Sequence, residues 1–96
     1  MTDDNPATGR PAPMTVTDAS SVRAIAQAAI TERLQYWFED TIVMCEPRGD
    51  HVYLAVNSGG NWIPVCAALN RSGHWRAVKD DEYDGYGGAM FVYPRG

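Results

Sequence analysis

Two cysteines and two histidines are the side chains of this sequence best suited to bind zinc, and they are Cys45, His51, Cys66 and His74. Structural zinc sites place two ligands close together in the chain, as in a Cys-x-x-Cys or His-x-x-x-His pair, and neither pair is present. Since both cysteines fall in apolar, strand-like segments, we interpret them as free thiols that pack in the core. The sequence therefore predicts no metal and no other cofactor.

The two histidines are also the main candidates for acid–base chemistry. No nucleophile elbow, phosphate-binding glycine loop or metal-binding helix motif occurs in the chain. His51 and His74 each open a predicted strand, and these two strands would run in the same direction about 10 Å apart. Such a pair could exchange protons only with a substrate between them, so we predict that the protein is not an enzyme.

An acidic segment that contains two tyrosines spans residues 80–88. Four of its residues fall at positions one, three, five and six of a calcium-binding loop: Asp80, Glu82, Asp84 and Gly85. Position twelve is Phe91, so the bidentate glutamate of such a loop is absent. The segment is a solvated loop, a cation ligand or a surface for a basic protein, and the sequence leaves these alternatives open.

Several aromatic residues fall at the ends of predicted elements. A large apolar ring with a polar tip at such a position either closes a small core or anchors a protein partner. We predict that these aromatic residues, together with one leucine of the helix, contact a partner. They are Leu34, Tyr36, Trp37, Phe38, Trp62, Trp75, Tyr83 and Tyr86.

The segment from Ser20 to Phe38 contains neither glycine nor proline, and its apolar residues recur at helical spacing. Thr17 and Asp18 are suited to cap the start of this helix. The apolar residues span about 220° of the helix surface, whereas packing on one sheet needs a little over 100°. Either the sheet curls around the helix, or part of the arc stays exposed until a partner or a second copy covers it. The residues expected to stay partly exposed in a monomer are Ile30, Leu34, Trp37 or Phe38.

Arg33 lies near the middle of this apolar arc. A guanidinium cannot be buried without a partner, so its head group must either extend to solvent or meet a carboxylate, and we predict an ion pair with Glu46 or Asp50. The alternative is contact with a bound anion.

After Asp40 the apolar pattern changes from helical to alternating. Five strand-like segments follow: Thr41–Glu46, His51–Asn57, Trp62–Leu69, His74–Lys79 and Ala89–Tyr93. Pro64 removes a backbone donor from the third segment, which favours an edge strand, a bulge or a later start of the strand. Because short turns join antiparallel strands, the sequence predicts an α+β fold with one N-terminal amphipathic helix packed on a four- to five-stranded antiparallel meander.

Length and composition indicate one small domain. The 96 residues are 45% hydrophobic and 21% charged, which is typical of a globular chain. Residues 1–17 contain three prolines and little apolar surface, so we predict a disordered tail, removable as far as residue 16, before a domain over residues 18–96. The sequence shows neither a membrane span nor a secretory leader, which predicts a cytoplasmic protein. Its basic residues are arginines apart from Lys79, which favours a bacterial or phage origin.

The net charge of −4 argues against a protein that binds nucleic acid through a basic surface. We therefore predict a small intracellular interaction protein, an inhibitor, immunity or accessory factor that acts by protein–protein contact or as a homo-oligomer. The alternative is a small-ligand or nucleic-acid-binding module. Its strand face would use Trp62, Trp75 and Arg76 for stacking and phosphate contact.

Overall fold

A computed structural model describes residues 13–35, 41–57 and 60–95 of the chain. These residues form α1 (Val16–Leu34), β1 (Ile42–Arg48), β2 (His51–Val56), α2 (Trp62–Arg71), β3 (Trp75–Lys79) and β4 (Gly88–Pro94). The four strands make one antiparallel sheet, so the predicted α+β fold with an N-terminal helix packed on a four-stranded antiparallel sheet is confirmed. Neither helix in these ranges combines the length and apolar character that a membrane crossing requires.

The segment predicted as a third strand, Trp62–Leu69, is helix α2 instead. Pro64 lies in the first turn, where backbone N–H groups have no partner within the helix and the missing donor costs little. Val65 and Leu69 are four residues apart and both are buried, as expected for one face of a helix. A short apolar run with β-branched residues fits a buried strand equally well, which is why the local pattern was misleading.

Helix α2 gives the sheet a different strand order from that of a simple meander. β4 lies between β2 and β3, so the order is β1-β2-β4-β3. Both β2 and β3 pair antiparallel to β4 and therefore run in the same direction. Parallel strands of one sheet need a crossover connection, and α2 is part of the segment that connects β2 to β3.

Both helices contribute to the main core on one face of the sheet. α1 contacts β1 as well as α2, and this second helix accounts for the wide apolar arc of α1. Ile30 is fully buried, so its predicted exposure is wrong. Leu34 is half-buried and packs against the core, and the predicted Trp37 and Phe38 lie outside the described residues.

Helix α1 begins at Val16, before the predicted cap at Thr17 and Asp18. Thr15 is the N-cap: its hydroxyl accepts the Asp18 backbone N–H at 3.1 Å, and the Asp18 carboxylate accepts the Thr15 backbone N–H at 2.9 Å. This reciprocal pair is a capping box. Met14 also donates its N–H to the Gly49 carbonyl at 2.8 Å and packs against the core. The predicted tail boundary at residue 17 is therefore too late, and residues 1–12 of that tail lie outside the described residues.

Side chains occupy much of the free edge of β3. The Asn70 amide of α2 accepts the Ala77 backbone N–H at 3.0 Å and donates to the Ala77 carbonyl at 3.2 Å. The Arg95 guanidinium donates to the Trp75 carbonyl at 2.8 Å. Because these bonds engage backbone groups that another strand would need, they disfavour strand addition at this edge.

The other edge strand, β1, is also poorly suited to accept a further strand. Pro47 has no N–H to donate, and the pairing with β2 is irregular between Ile42 and Met44. Proline and bulges are common means of protecting an exposed edge. The broad face of the sheet is therefore a better candidate for contacts than its edges.

The capping box predicts that Thr15→Ala lowers the free energy of unfolding by about 1 kcal/mol, because the first turn of α1 loses a hydrogen-bond acceptor. This corresponds to a melting temperature about 4–8 °C lower for a domain of this size. Thr17→Ala, two residues on and exposed in the same turn, is the matched control and should leave the melting temperature unchanged or slightly higher. Equal melting temperatures for the two variants would contradict the assigned cap.

Candidate functional site

The candidate site is the face of the sheet opposite the two helices, called the outer face below. Side chains alternate between the two faces of a strand, so Val52, Leu54 and Val92 enter the main core while their neighbours point away from it. The outer face includes Arg48, His51, Tyr53, Arg76, Val78, Phe91 and Tyr93.

Two arginines of the outer face stack on tyrosine rings. The Arg48 guanidinium carbon lies 4.4 Å from the centroid of the Tyr53 ring, and that of Arg76 lies 4.9 Å from the centroid of Tyr93. Cation–π contact favours keeping each guanidinium over its ring. Both arginines are exposed, but Arg48 already donates to Glu46 and to the Met44 sulfur, so Arg76 is the one whose N–H groups are more accessible to an oxygen acceptor.

His51 lies between two aromatic rings of β4. Its ring centroid is 5.5 Å from those of both Phe91 and Tyr93, with an edge-on approach to Phe91. Nδ1 of His51 lies 2.8 Å from the Asp50 carboxylate, and this hydrogen bond lowers the pKa of Asp50. His51 therefore joins Arg48 and Arg76 into one cation–aromatic row across the four strands. His74, which precedes β3, lies at the same end of the sheet, as expected for two strands with the same direction.

The two arginines differ in how their charge is balanced. Nε of Arg48 lies 2.6 Å from a carboxylate oxygen of Glu46 on the same strand. In the ranges that the structure describes, Arg76 forms no ion pair with a carboxylate. Arg76 is thus a positive charge on the outer face, and within the described ranges its donors are free for an external anion.

The loop of residues 80–87, called the acidic loop below, covers the other end of the outer face. The Asp80 carboxylate accepts the Tyr53 hydroxyl at 2.6 Å and the Glu82 backbone N–H at 3.0 Å. Tyr83 packs against the buried cluster that includes Tyr53 and Ala89. These contacts hold the loop on the sheet.

Gly87 allows the acidic loop to approach the end of β2 closely. A Cβ atom at this position would overlap the carbonyl group of Val56, which is backbone and cannot rotate away. A glycine is therefore required where the loop returns to the sheet.

The carboxylates of the acidic loop are partly engaged. Asp80 holds Tyr53, and Asp81 lies 3.4 Å from the Lys79 amine. Glu82 and Asp84 are exposed, and neither forms an ion pair within the described part of the chain. Among the residues described, no three histidine, cysteine, aspartate or glutamate side chains are grouped as a metal site.

Tyr53 is the buried titratable group of the site. Its burial, together with the hydrogen bond to Asp80 and the negative charge there, raises the pKa of Tyr53 to about 12. The hydroxyl therefore stays protonated and keeps donating to Asp80 over the whole physiological range of pH.

The structure separates the three residues of the predicted stacking and phosphate surface. Trp75 is buried on the helix side of the sheet, whereas Arg76 faces the other way. Trp62 is on α2 rather than on a strand, and the Lys79 amine lies 5.0 Å from the centroid of its ring. Trp62, Trp75 and Arg76 therefore do not form one surface, because they lie on two faces and two kinds of element.

The other predicted contact residues are placed in different surroundings. Tyr83 is half-buried against the outer-face cluster, and Tyr86 is 88% exposed. Leu34 packs against the main core, and three predicted contact residues lie outside the described ranges: Tyr36, Trp37 and Phe38. That any of these residues contacts a partner stays a prediction.

The predicted ion pair of Arg33 with Glu46 or Asp50 is wrong. Those carboxylates pair with Arg48 and His51 instead, while Nη1 of Arg33 donates to the side-chain oxygen of Asn61 at 2.8 Å. Asn61 is buried at the start of α2. The contact therefore joins the end of α1 to the start of α2. It requires no carboxylate, because the exposed guanidinium reaches the buried amide of Asn61 directly.

Both cysteines are free, as predicted. Cys45 donates to the Ala19 carbonyl at 3.2 Å, and Cys66, on α2 rather than on a strand, donates to the Ala77 carbonyl at 3.5 Å. Burial raises the pKa of both thiols, so both are protonated at neutral pH. The cysteines lie on the helix side of the sheet and His51 lies on the outer face, so the four candidate zinc ligands are not brought together.

Sequence reasoning missed Arg48, Tyr53, Phe91 and Tyr93 as members of the site. The alternation in β2 separates Tyr53 from Val52 and Leu54, and the same period separates Phe91 and Tyr93 from Val92. The alternation within each strand could therefore be read from the sequence. That β2 and β4 are neighbours, which brings these residues together, depends on the strand order. No protein family, curated protein or solved structure matches the chain, so these comparisons suggest no function.

The raised pKa of Tyr53 predicts a loss of stability in alkali. Protonated Tyr53 favours the native state below its ordinary pKa of 10, and this contribution is lost as the pH rises toward about 12. In Tyr53→Phe the fall in the free energy of unfolding over this range should be smaller than in the wild type. Denaturant unfolding at several pH values between 10 and 12 measures how the free energy of unfolding changes. Tyr86→Phe, at an exposed position, is the control and should reproduce the wild-type fall. An unchanged fall in Tyr53→Phe would contradict the assignment.

Proposed function

We propose that this protein is a small protein-binding module and that its outer face contacts an acidic segment of a partner. The observation that carries the proposal is Arg76, an exposed cation stacked on Tyr93 without a carboxylate partner among the described residues. Its role as an inhibitor, immunity or accessory factor and its cytoplasmic location stay predictions, and the two free thiols suit a reducing compartment.

The composition of the outer face supports protein contact. Tyrosine, phenylalanine and arginine are enriched in protein interfaces relative to the rest of a protein surface. Here Phe91 and Tyr93 are half-buried, and Val78 is 41% exposed beside Arg76. Because side chains and irregular pairing protect both edges of the sheet, a partner has better access to this face than to an edge.

The stacking of the arginines supports an acidic partner rather than an apolar one. A guanidinium held over a ring has lost some of its rotational freedom, and it presents its N–H donors in a planar fork. Carboxylates fit this fork with two parallel hydrogen bonds, which are stronger than bonds between neutral groups. A glutamate or aspartate side chain is therefore the group that Arg76 is best placed to bind.

The nucleic-acid alternative receives less support from the same geometry. Single-stranded nucleic acids bind by stacking bases on free aromatic faces, whereas Arg48 and Arg76 each cover a face of Tyr53 and Tyr93. The acidic loop adjoins the aromatic residues and would repel the closely spaced phosphates of a strand, whereas a protein segment can place a single carboxylate at Arg76, at the other end of the face.

A direct test compares two fluorescent probes with the full chain by fluorescence anisotropy. One probe is a peptide of alternating glutamate and tyrosine, and the other is a single-stranded oligonucleotide of similar length. We expect the peptide to bind, and Arg76→Glu to weaken this binding by about tenfold, the effect of one charge-assisted hydrogen bond. Arg71→Glu, which makes the same charge change on exposed α2, is the control and should bind as the wild type does.

Two results would contradict the proposal. Equal affinities of Arg76→Glu and Arg71→Glu for the peptide would show that Arg76 is not part of the binding surface. Preferential binding of the oligonucleotide, weakening steeply as salt is raised, would favour the nucleic-acid alternative instead.

A further inference from the structure

The outer face carries opposite charges at its two ends. Along β3, Arg76, Val78 and then Asp80, which follows the strand, point to this face at alternate positions, in the order positive, apolar and negative. The adjacent β4 places Tyr93, Phe91 and Ala89 beside them. The acidic loop, which connects the two strands, continues from Asp80 with the exposed Glu82 and Asp84.

The two opposite charges lie at equal distances from the apolar centre. At about 3.3 Å per residue, Arg76 and Asp80 are roughly 13 Å apart along the strand, and Val78 lies midway. A two-fold axis in the plane of the face, crossing the strands at Val78 and Phe91, would therefore place the positive end of one copy on the negative end of another. A C2 interface requires this kind of self-complementary surface.

We propose that the acidic partner of the outer face is a second copy of this chain, docked face to face with its strands reversed. In this dimer Arg76 of each copy meets Glu82 and Asp84 of the other, and Val78 and Phe91 of both copies meet at the axis. The proposal rests on the proposed function, because it takes the outer face to be the binding surface.

The charges without partners in one copy are those that this dimer would pair. Arg76, Glu82 and Asp84 are exposed and form no ion pair in the part of the chain that the structure describes. By symmetry the new contact occurs twice. With the strands of the two copies in the same direction, Arg76 would instead meet Arg76, and like charges at an interface are strongly unfavourable. Charge therefore selects the reversed orientation.

Val78 and Phe91, at the apolar centre of the face, would add hydrophobic contact to the charge pairs of this dimer. Val78 is 41% exposed, and Phe91 is half-buried among Tyr53 and His51. Two sheets packed face to face lie about 10 Å apart, with side chains from both filling the space between them. Covering Val78 and Phe91 removes apolar surface from water at the centre, where contacts contribute most to binding.

A charge-exchange experiment on the full chain tests this dimer by sedimentation equilibrium. The wild type is expected to dimerise, and raised salt should weaken the association. Arg76→Glu alone should dissociate at least about tenfold more readily, since both of its symmetric contacts become repulsive. The double variant Glu82→Arg with Asp84→Arg should dissociate similarly, because its Arg76 then faces arginine.

Mixing these two variants should restore association. In the mixed dimer, Glu at position 76 of one copy faces Arg at 82 and 84 of the other, and the second contact keeps its wild-type residues. Arg71→Glu is the control for charge on the helix side and should dimerise as the wild type does. Thermal melting of each variant checks folding, and since the acidic-loop substitutions are at exposed positions, they provide a second test if Arg76→Glu is unstable.

A wild type that is monomeric at high concentration would overturn the proposal, as would a dimer that both sets of charge reversals leave intact. Failure of the mixture to associate would likewise overturn the reversed orientation. These results are distinguishable from failure of the proposed function. If the protein is a monomer but still binds the glutamate–tyrosine peptide through Arg76, the outer face is a binding surface and only the proposed dimer is wrong.

Discussion

The position of β4 between β2 and β3 is the constraint on which the rest of the structure depends. Pairing of β4 with both neighbours sets Tyr93 opposite Arg76 and brings Phe91 beside Tyr53. The same register buries Val92 and Met90 against the helices, because alternate residues of a strand face opposite sides of the sheet. One set of backbone hydrogen bonds thus builds the core on one side and the cation–aromatic row on the other.

Helix α2 makes this strand order feasible. It lies in the connection between two strands of the same direction and supplies Val65 and Leu69 to the core. Its Asn70 engages the backbone of β3, and Asn61 at its start binds Arg33 of α1. These bonds join both helices and the edge strand on one side of the sheet, so within the described part of the chain neither helix covers the opposite side.

The chemistry of the outer face depends on groups that are already held in place. Arg76 is stacked, His51 is fixed by Asp50 and two rings, and the Tyr53 hydroxyl anchors Asp80 at the other end. A surface ordered before binding loses less conformational entropy when a partner arrives. The separation of positive and negative ends is therefore a property of the single chain, set by the length of β3 and β4.

Features that depend on local periodicity could be predicted from the order of the residues alone. Helical spacing predicted α1, alternation predicted β2 with its two faces, and together they predicted the α+β class. The Trp62–Leu69 run could not be decided locally, because its length and β-branched residues suit a strand or a helix. Strand order, the partner of Arg33 and the neighbours of Arg76 were decided only by the tertiary structure. Each depends on contacts between residues distant in the chain, and such contacts follow from packing rather than from the spacing of residues along one element.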